Sequence, residues 1–234
     1  VERTGVVDEA LVTAVRAALA AAADPAKAPG MQAYMKSVMP YRGVPKPVRD
    51  RALRSVFADR TLPDEAGWTA TVLALWRDAA YREERYAAID LTGLRAYRAY
   101  QRPDALGLYD EMITTGAWWD YVDEIANRRV GPLLAADPAA MRPVMLRWSR
   151  GDDLWRRRTS IICQLSFKAA TDLDLLYSCI DANLDDKDFF IRKAIGWALR
   201  QYAWTDPVEV RRFVASRGTA LSALSRREAL KNIG

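Results

Sequence analysis

Apolar residues recur at helical spacing along almost the whole chain, and no run alternates with period two between turn pairs. That combination restricts the chain to an all-α fold. The first periodic stretch covers residues 7–23, with Leu11, Val15 and Leu19 on one stripe and Asp8 in place to cap it. Pro25 and Pro29-Gly30 are expected to end it. Further helices are predicted over 31–39, 48–57, 65–78, 83–100, 104–114, 117–126, 138–148, 154–169, 172–181, 189–202, 207–215 and 222–233. Trp76, Trp118, Trp155 and Trp197 are separated by 42, 37 and 42 residues. A period near 40 with two helices per unit is that of HEAT or armadillo arrays. The expectation is one domain over 1–234, a helical-repeat solenoid with a continuous core and a concave face. A plain helical bundle with scattered tryptophans has the same periodicity.

Composition then removes whole classes of chemistry. The 234 residues include no histidine, which excludes Ser-His-Asp and Cys-His catalysis and histidine-based zinc sites. Cys163 and Cys179 lie in apolar surroundings and read as reduced core thiols, because two thiols cannot complete a structural zinc site. No stretch approaches the ~20 apolar residues of a membrane helix. The N-terminus, Val1-Glu2-Arg3-Thr4, shows no signal-peptide core, so a cytoplasmic protein is expected. The net charge is +5, and residues 141–234 hold 17 Lys and Arg against 11 Asp and Glu. Arginine outnumbers lysine 28 to 7. A GC-rich genome gives such a bias, but a one-sided arginine excess also suits a polyanionic partner.

Several constellations stand out. In 114–123, Trp118 and Val122 share one helical face, while Trp119 and Asp123 share a second face about 100° round. The second face pairs a large aromatic plate with a carboxylate; packed tryptophans beside a solvated acid would look the same. Thr115 or Gly116 is expected to cap this helix. In 151–162, Asp152 or Asp153 precedes Trp155 and the run Arg156-Arg157-Arg158. Three cations at a helix N-terminus oppose the macrodipole, and a bound anion would relieve them, as would the neighbouring aspartates. In 189–202, Lys193, Trp197, Arg200 and Gln201 fall on one polar face, suited to a nucleic-acid backbone or to cation–π packing. Gly196 is unfavourable inside a helix by roughly 1 kcal/mol and implies close approach of another backbone. Ser225 and Glu228 are spaced as a capping box around Arg226 and Arg227. Residues 32–47, with Tyr34 and Pro45, read as a helix end and a Gly/Pro turn.

Taken together, Ala33-Tyr34-Met35-Lys36, Trp118-Trp119-Asp120-Tyr121-Val122-Asp123, Trp155 with Arg158, Lys193-Ala194-Ile195-Gly196-Trp197 and Leu224-Ser225-Arg226-Arg227-Glu228-Ala229 resemble the AlkD-type DNA alkylation-repair glycosylases. The resemblance runs in order from about residue 8 to the C-terminus. It implies a HEAT-like solenoid of about six units whose basic concave face cradles duplex DNA. The implied activity is hydrolysis of the N-glycosidic bond of cationic alkylated purines such as 3-methyladenine and 7-methylguanine. By that resemblance the catalytic aspartate falls on Asp123, the lesion-side tryptophans on Trp119 and Trp197, and the backbone-contacting arginine on Arg158. Tyr34 occupies the place of an aromatic near DNA. Trp155, Lys193, Arg200, Arg226 and Arg227 complete the expected DNA-binding set. No cofactor and no metal are expected, and the protein is expected to act as a monomer, cytoplasmic and on the nucleoid when bound to DNA. Some relatives carry glutamine where this chain has Pro45, which has neither a side-chain amide nor an N–H. The lesion range is therefore open; and because the resemblance implies a lesion left in or near the stack with no enclosing pocket, bulky adducts in a self-resistance role belong to the same reading. The competing class is a non-catalytic HEAT module that binds DNA or protein. Such a module has no need of Asp123, whose charge repels phosphate.

Overall fold

A computed structural model describes residues 5–233. Part of the N-terminal stretch read above, Val1–Thr4, lies outside them. Among the described residues the fold is all helical, with fourteen α-helices and no strand. The described residues form two compact units, which divide between Tyr100 and Gln101. No helix is long and apolar enough to cross a membrane.

The first unit holds α1 (Glu9–Ala21), α2 (Ala28–Met35), α3 (Lys46–Ala58), α4 (Glu65–Arg77) and α5 (Arg82–Thr92). Helix α1 packs on α3, α4 and α5, and its Leu11, Val15 and Leu19 are fully buried as the stripe predicts. Asp8 caps α1 by accepting the Leu11 N–H at 2.8 Å. Pro29 does not break the chain; it lies in the first turn of α2, where its missing N–H costs nothing. The helix predicted over 83–100 stops at Thr92, and a 3-10 segment, Arg95–Tyr100, follows Gly93. The turn before Pro45 is held from a distance. The buried carboxylate of Glu83 accepts the N–H groups of Arg42, Gly43 and Val44 at 2.9–3.1 Å. Gly43 sits at φ +81°, where a Cβ would also meet the Asp24 carbonyl at 2.0 Å, so only glycine fits. The Pro45 carbonyl then accepts the N–H groups of Val48 and Arg49 and starts α3.

The second unit holds α6 (Leu106–Gly116), α7 (Trp119–Ile125), α8 (Gly131–Ala136), α9 (Pro138–Trp148), α10 (Leu154–Ile162), α11 (Leu173–Asp181), α12 (Phe189–Tyr202), α13 (Pro207–Arg217) and α14 (Ala223–Leu230). Helices α7, α10, α12 and α14 pack in succession, each on the next. They begin at residues 119, 154, 189 and 223, a repeat of 34–35 residues. This is shorter than the tryptophan spacing suggests, because Trp118 precedes its helix, Trp155 opens one and Trp197 lies two turns into another. Residues 127–136, not assigned from the pattern, carry α7 on through a π segment (Ala126–Val130) into α8. Pro132 supplies the cause. It has no N–H for the Arg128 carbonyl, which accepts instead from Arg129 Nη1 at 2.9 Å, while the Gly131 N–H bonds the Ala126 carbonyl in the wider register. The helix predicted over 154–169 ends at Ile162.

Short polar side chains set the helix starts. Asp137, Asp153, Asp172, Asp188, Asp206 and Ser222 each accept backbone N–H groups from the first turn of the helix they precede. Asp188→Ala is expected to cost about 1 kcal/mol by removing the cap of α12; urea unfolding at neutral pH measures it. Ser222, not Ser225, caps α14, so the expected capping box is not formed. Ser225 is buried inside the helix and donates its hydroxyl to the Arg192 carbonyl at 2.9 Å.

The close approach implied by Gly196 is present. A Cβ there would stand 2.5 Å from Glu228 Cβ and 2.9 Å from the Ser225 carbonyl oxygen. Alanine in an open helix would gain up to about 1 kcal/mol over glycine, but overpacking of this kind costs about 1–3 kcal/mol. Gly196→Ala is therefore expected to lower the urea midpoint, not raise it.

Candidate nucleic-acid processing site

The three arginines of α10 are neutralised inside the protein, which resolves the electrostatic tension seen in the sequence. Arg156 makes a bidentate pair with Asp110, both contacts at 2.7 Å. Arg157 reaches Asp186 at 3.2 Å and the carbonyls of Gly151 and Asp152. Arg158 donates through Nε to Asp123 Oδ1 at 2.7 Å and through Nη2 to Oδ2 at 2.8 Å. The counter-charges are aspartates brought in from α6, α7 and the loop before α12, not the two aspartates adjacent in sequence.

The Asp123–Arg158 pair is the centre of the arrangement. Arg158 is buried, with a side chain 5% exposed, and Asp123 is 16% exposed. The third contact of Arg158 is Nη1 to the Phe190 carbonyl of α12 at 2.6 Å. One guanidinium thus ties α7 to the N-terminal turn of α12 across α10. Beside it Trp118, Trp155 and Phe190 form an aromatic cluster with ring centroids 5.1–6.3 Å apart. Burial pushes the Asp123 carboxyl above the ordinary aspartate value of 3.8; Arg158 works against that rise, and Asp120 adds to it. The result is a carboxylate fixed in orientation by two hydrogen bonds yet more basic than a free aspartate. Trp119 lies one turn before Asp123 on the same face of α7 and is partly exposed.

The other expected site residues fall into different surroundings. Trp155 is buried, 7% exposed, and packs against Trp118 and Phe190 in the aromatic cluster. Arg158, expected at the DNA backbone, is engaged with Asp123 and Phe190. Trp197 is partly exposed on α12. Lys193 and Arg200, on either side of it, both pair with Glu228 of α14, Lys193 at 2.8 Å. Arg226 donates to the Gly218 carbonyl, and Arg227 is exposed. Tyr34, in the first unit, is 73% exposed. Thr115 and Gly116 do not cap α7. Both belong to α6, Ala117 takes a left-handed conformation at φ 43°, and the N-cap position is Trp118 without a side-chain bond.

Sequence reasoning missed Phe190 and Glu228 as working parts. Phe190 looked like one more apolar residue, and its contribution is a backbone carbonyl as much as a ring. Glu228 was read as half of a cap. Its place in α14, two residues before Leu230 and opposite Gly196, shows only once the helices are packed. Among the described residues no three His, Cys, Asp or Glu side chains gather as a metal site. Both cysteines are buried, and burial pushes their thiols up.

The family model described as DNA alkylation repair enzyme matches residues 15–233. A solved structure described as a predicted DNA alkylation repair enzyme from Enterococcus faecalis is similar at 30% identity with a TM-score of 0.81, covering 91% of this chain and 97% of that one. A search of curated proteins gave no match.

Proposed function

The chain belongs to the DNA alkylation repair enzyme family, and on that premise we propose that it is a monofunctional DNA glycosylase releasing cationic N3- or N7-alkylated purines from duplex DNA. The observation that carries this reading is the Asp123 carboxylate, held bidentately by Arg158 one helical turn from Trp119.

Alkylation at N3 or N7 makes the purine a cation and a good leaving group. The C1′–N bond breaks with its electron pair going to the base, which leaves neutral, so little acid catalysis is needed. That is a reaction a chain without histidine can run. Positive charge builds on the deoxyribose as the bond opens. The Asp123 carboxylate stabilises that charge and takes the proton of the water whose oxygen bonds to C1′. The faces of Trp119 and Trp197 favour the same charge by about 0.5–2 kcal/mol each. Arg158 acts through Asp123 by holding it in place. Tyr34, Arg226 and Arg227, with Lys193 and Arg200, are assigned to the DNA backbone, where contacts set register and not sequence. The enzyme acts as a monomer at the first step of base excision repair, in the cytoplasm on the nucleoid.

The test is base release from duplexes containing 7-methylguanine or a bulky cationic purine adduct, analysed by chromatography of free bases. Release of 7-methylguanine supports a general repair enzyme. Release of the bulky adduct alone supports the same chemistry in self-resistance. DNA binding without release of either would replace the enzyme by a non-catalytic binding module.

A further inference from the structure

Glu228 serves two cations at once, and both stand on a helix expected to meet DNA. Its Oε1 accepts from Lys193 Nζ at 2.8 Å, and its Oε2 pairs with Arg200 Nη1. The two cations lie seven residues apart on α12, on the face that also carries Trp197 midway. The Glu228 side chain is 10% exposed, while Lys193 is 39% and Arg200 25% exposed. The carboxylate therefore lies beneath its partners, and the cations present outward. The Lys193 ammonium, followed by Arg200, holds the Glu228 carboxyl below its ordinary range, so it is an anion at neutral pH. Gly196 lets α14 come this close, and the Ser225 hydroxyl bound to the Arg192 carbonyl fixes the register. An acid placed in the middle of a phosphate-binding face weakens that face. Nothing in the helix packing requires it to be charged, since Gly196 and Ser225 already make the contact.

We propose that Glu228 is a resident counter-anion that occupies Lys193 and Arg200 in the free protein and yields them to a DNA phosphate on binding. A carboxylate accepting from two cations has the same donors, at the same separation, that a phosphate would use. Two consequences follow. The Trp197 segment is kept ordered before DNA arrives, so its cations are not free to wander. The face also binds undamaged DNA less tightly than its count of basic residues implies, which favours release and search. This inference rests on the glycosylase reading only in that duplex DNA is the ligand.

The experiment measures the affinity of the full chain for an undamaged duplex across a series of potassium chloride concentrations, for the natural protein and for Glu228→Gln. Each phosphate neutralised contributes about −0.9 to the slope of log affinity against log salt, and at 0.1 M salt that is about tenfold in affinity. Glu228→Gln is expected to bind several-fold to about tenfold tighter, with a slope steeper by about one. Lys193→Gln, on the exposed side of the trio, is expected to flatten the slope, and it leaves Arg200 to pair with Glu228 should Glu228→Gln prove poorly folded. Unchanged affinity and slope in a folded Glu228→Gln, or an unchanged slope in Lys193→Gln, would overturn the proposal while leaving the glycosylase reading intact. A natural protein that fails to bind duplex DNA at all overturns both, and it does so before any variant is made.

Discussion

Asp123→Asn is expected to lower base release from alkylated duplex DNA by about 10²–10⁴-fold while leaving DNA affinity nearly unchanged. The size follows from what is removed. A positioned base contributes about 10²–10⁴, and electrostatic stabilisation of developing charge contributes in the same range; in the proposed mechanism one carboxylate performs both. The fold is expected to survive at a cost in stability, because Arg158 loses its counter-charge but keeps the Phe190 carbonyl and one acceptor on the asparagine. Single-turnover release under excess enzyme, beside a binding isotherm, separates the two effects. Full release by Asp123→Asn would remove Asp123 from the chemistry. The natural protein should show the matching pH dependence. Its activity falls as pH drops and Asp123 takes up a proton, with a midpoint above the ordinary 3.8, because burial raises this carboxyl. The linked stability term has the opposite sense. The folded state holds this proton more tightly than the unfolded chain, so the contribution is complete below the ordinary value and is lost as pH rises through the raised one.

Arg158→Met has the second-largest expected effect, and it acts on stability and chemistry together. Removing one partner of a buried pair leaves the other charge uncompensated, at a cost of about 3–5 kcal/mol. Arg158 is also the link between α7 and the Phe190 carbonyl, so the variant frees that carbonyl as well. Arg158 is the group that holds the Asp123 carboxyl down against burial and against Asp120. Without it the acid limb of the activity profile moves to higher pH, and base release at neutral pH falls. Urea unfolding and the pH profile are the two readouts. Asp123→Asn combined with Arg158→Met should cost less stability than the sum of the single changes, because the stranded charge is gone. A loss of DNA affinity with the acid limb unmoved would instead assign Arg158 to the DNA backbone.

Local chemistry was readable from the sequence wherever the answer lay within one helix. The period of the apolar residues places α1, α9 and α12 within a few residues, because each buries one stripe against a neighbour and starts at an aspartate or just after one. The pairing of Trp119 with Asp123 on one face follows from 3.6 residues per turn and needs nothing else. Gly196 announces a close contact without naming it. The π segment, by contrast, escapes a period-based reading because Pro132 shifts the register by one residue. Trp155 shows the other limit: its spacing to Arg158 is visible in the sequence, but burial behind Trp118 and Phe190 is not.

The sequence by itself therefore determined an all-helical chain, the face on which Asp123 and Trp119 meet, and the absence of any chemistry that needs histidine. Those properties depend on residue type and on separations of a few residues, which the helix converts directly into geometry. Tertiary structure alone decided which charges meet. Arg158 finds Asp123 across 35 residues, Arg156 finds Asp110 across 46, Lys193 and Arg200 find Glu228 on α14, and Glu83 gathers three amides of the 42–44 turn. Aspartates lie near these cations in sequence, and helix packing decides which carboxylate each one reaches. The difference between a basic helix open to any anion and a single carboxylate held in one orientation is made at that step.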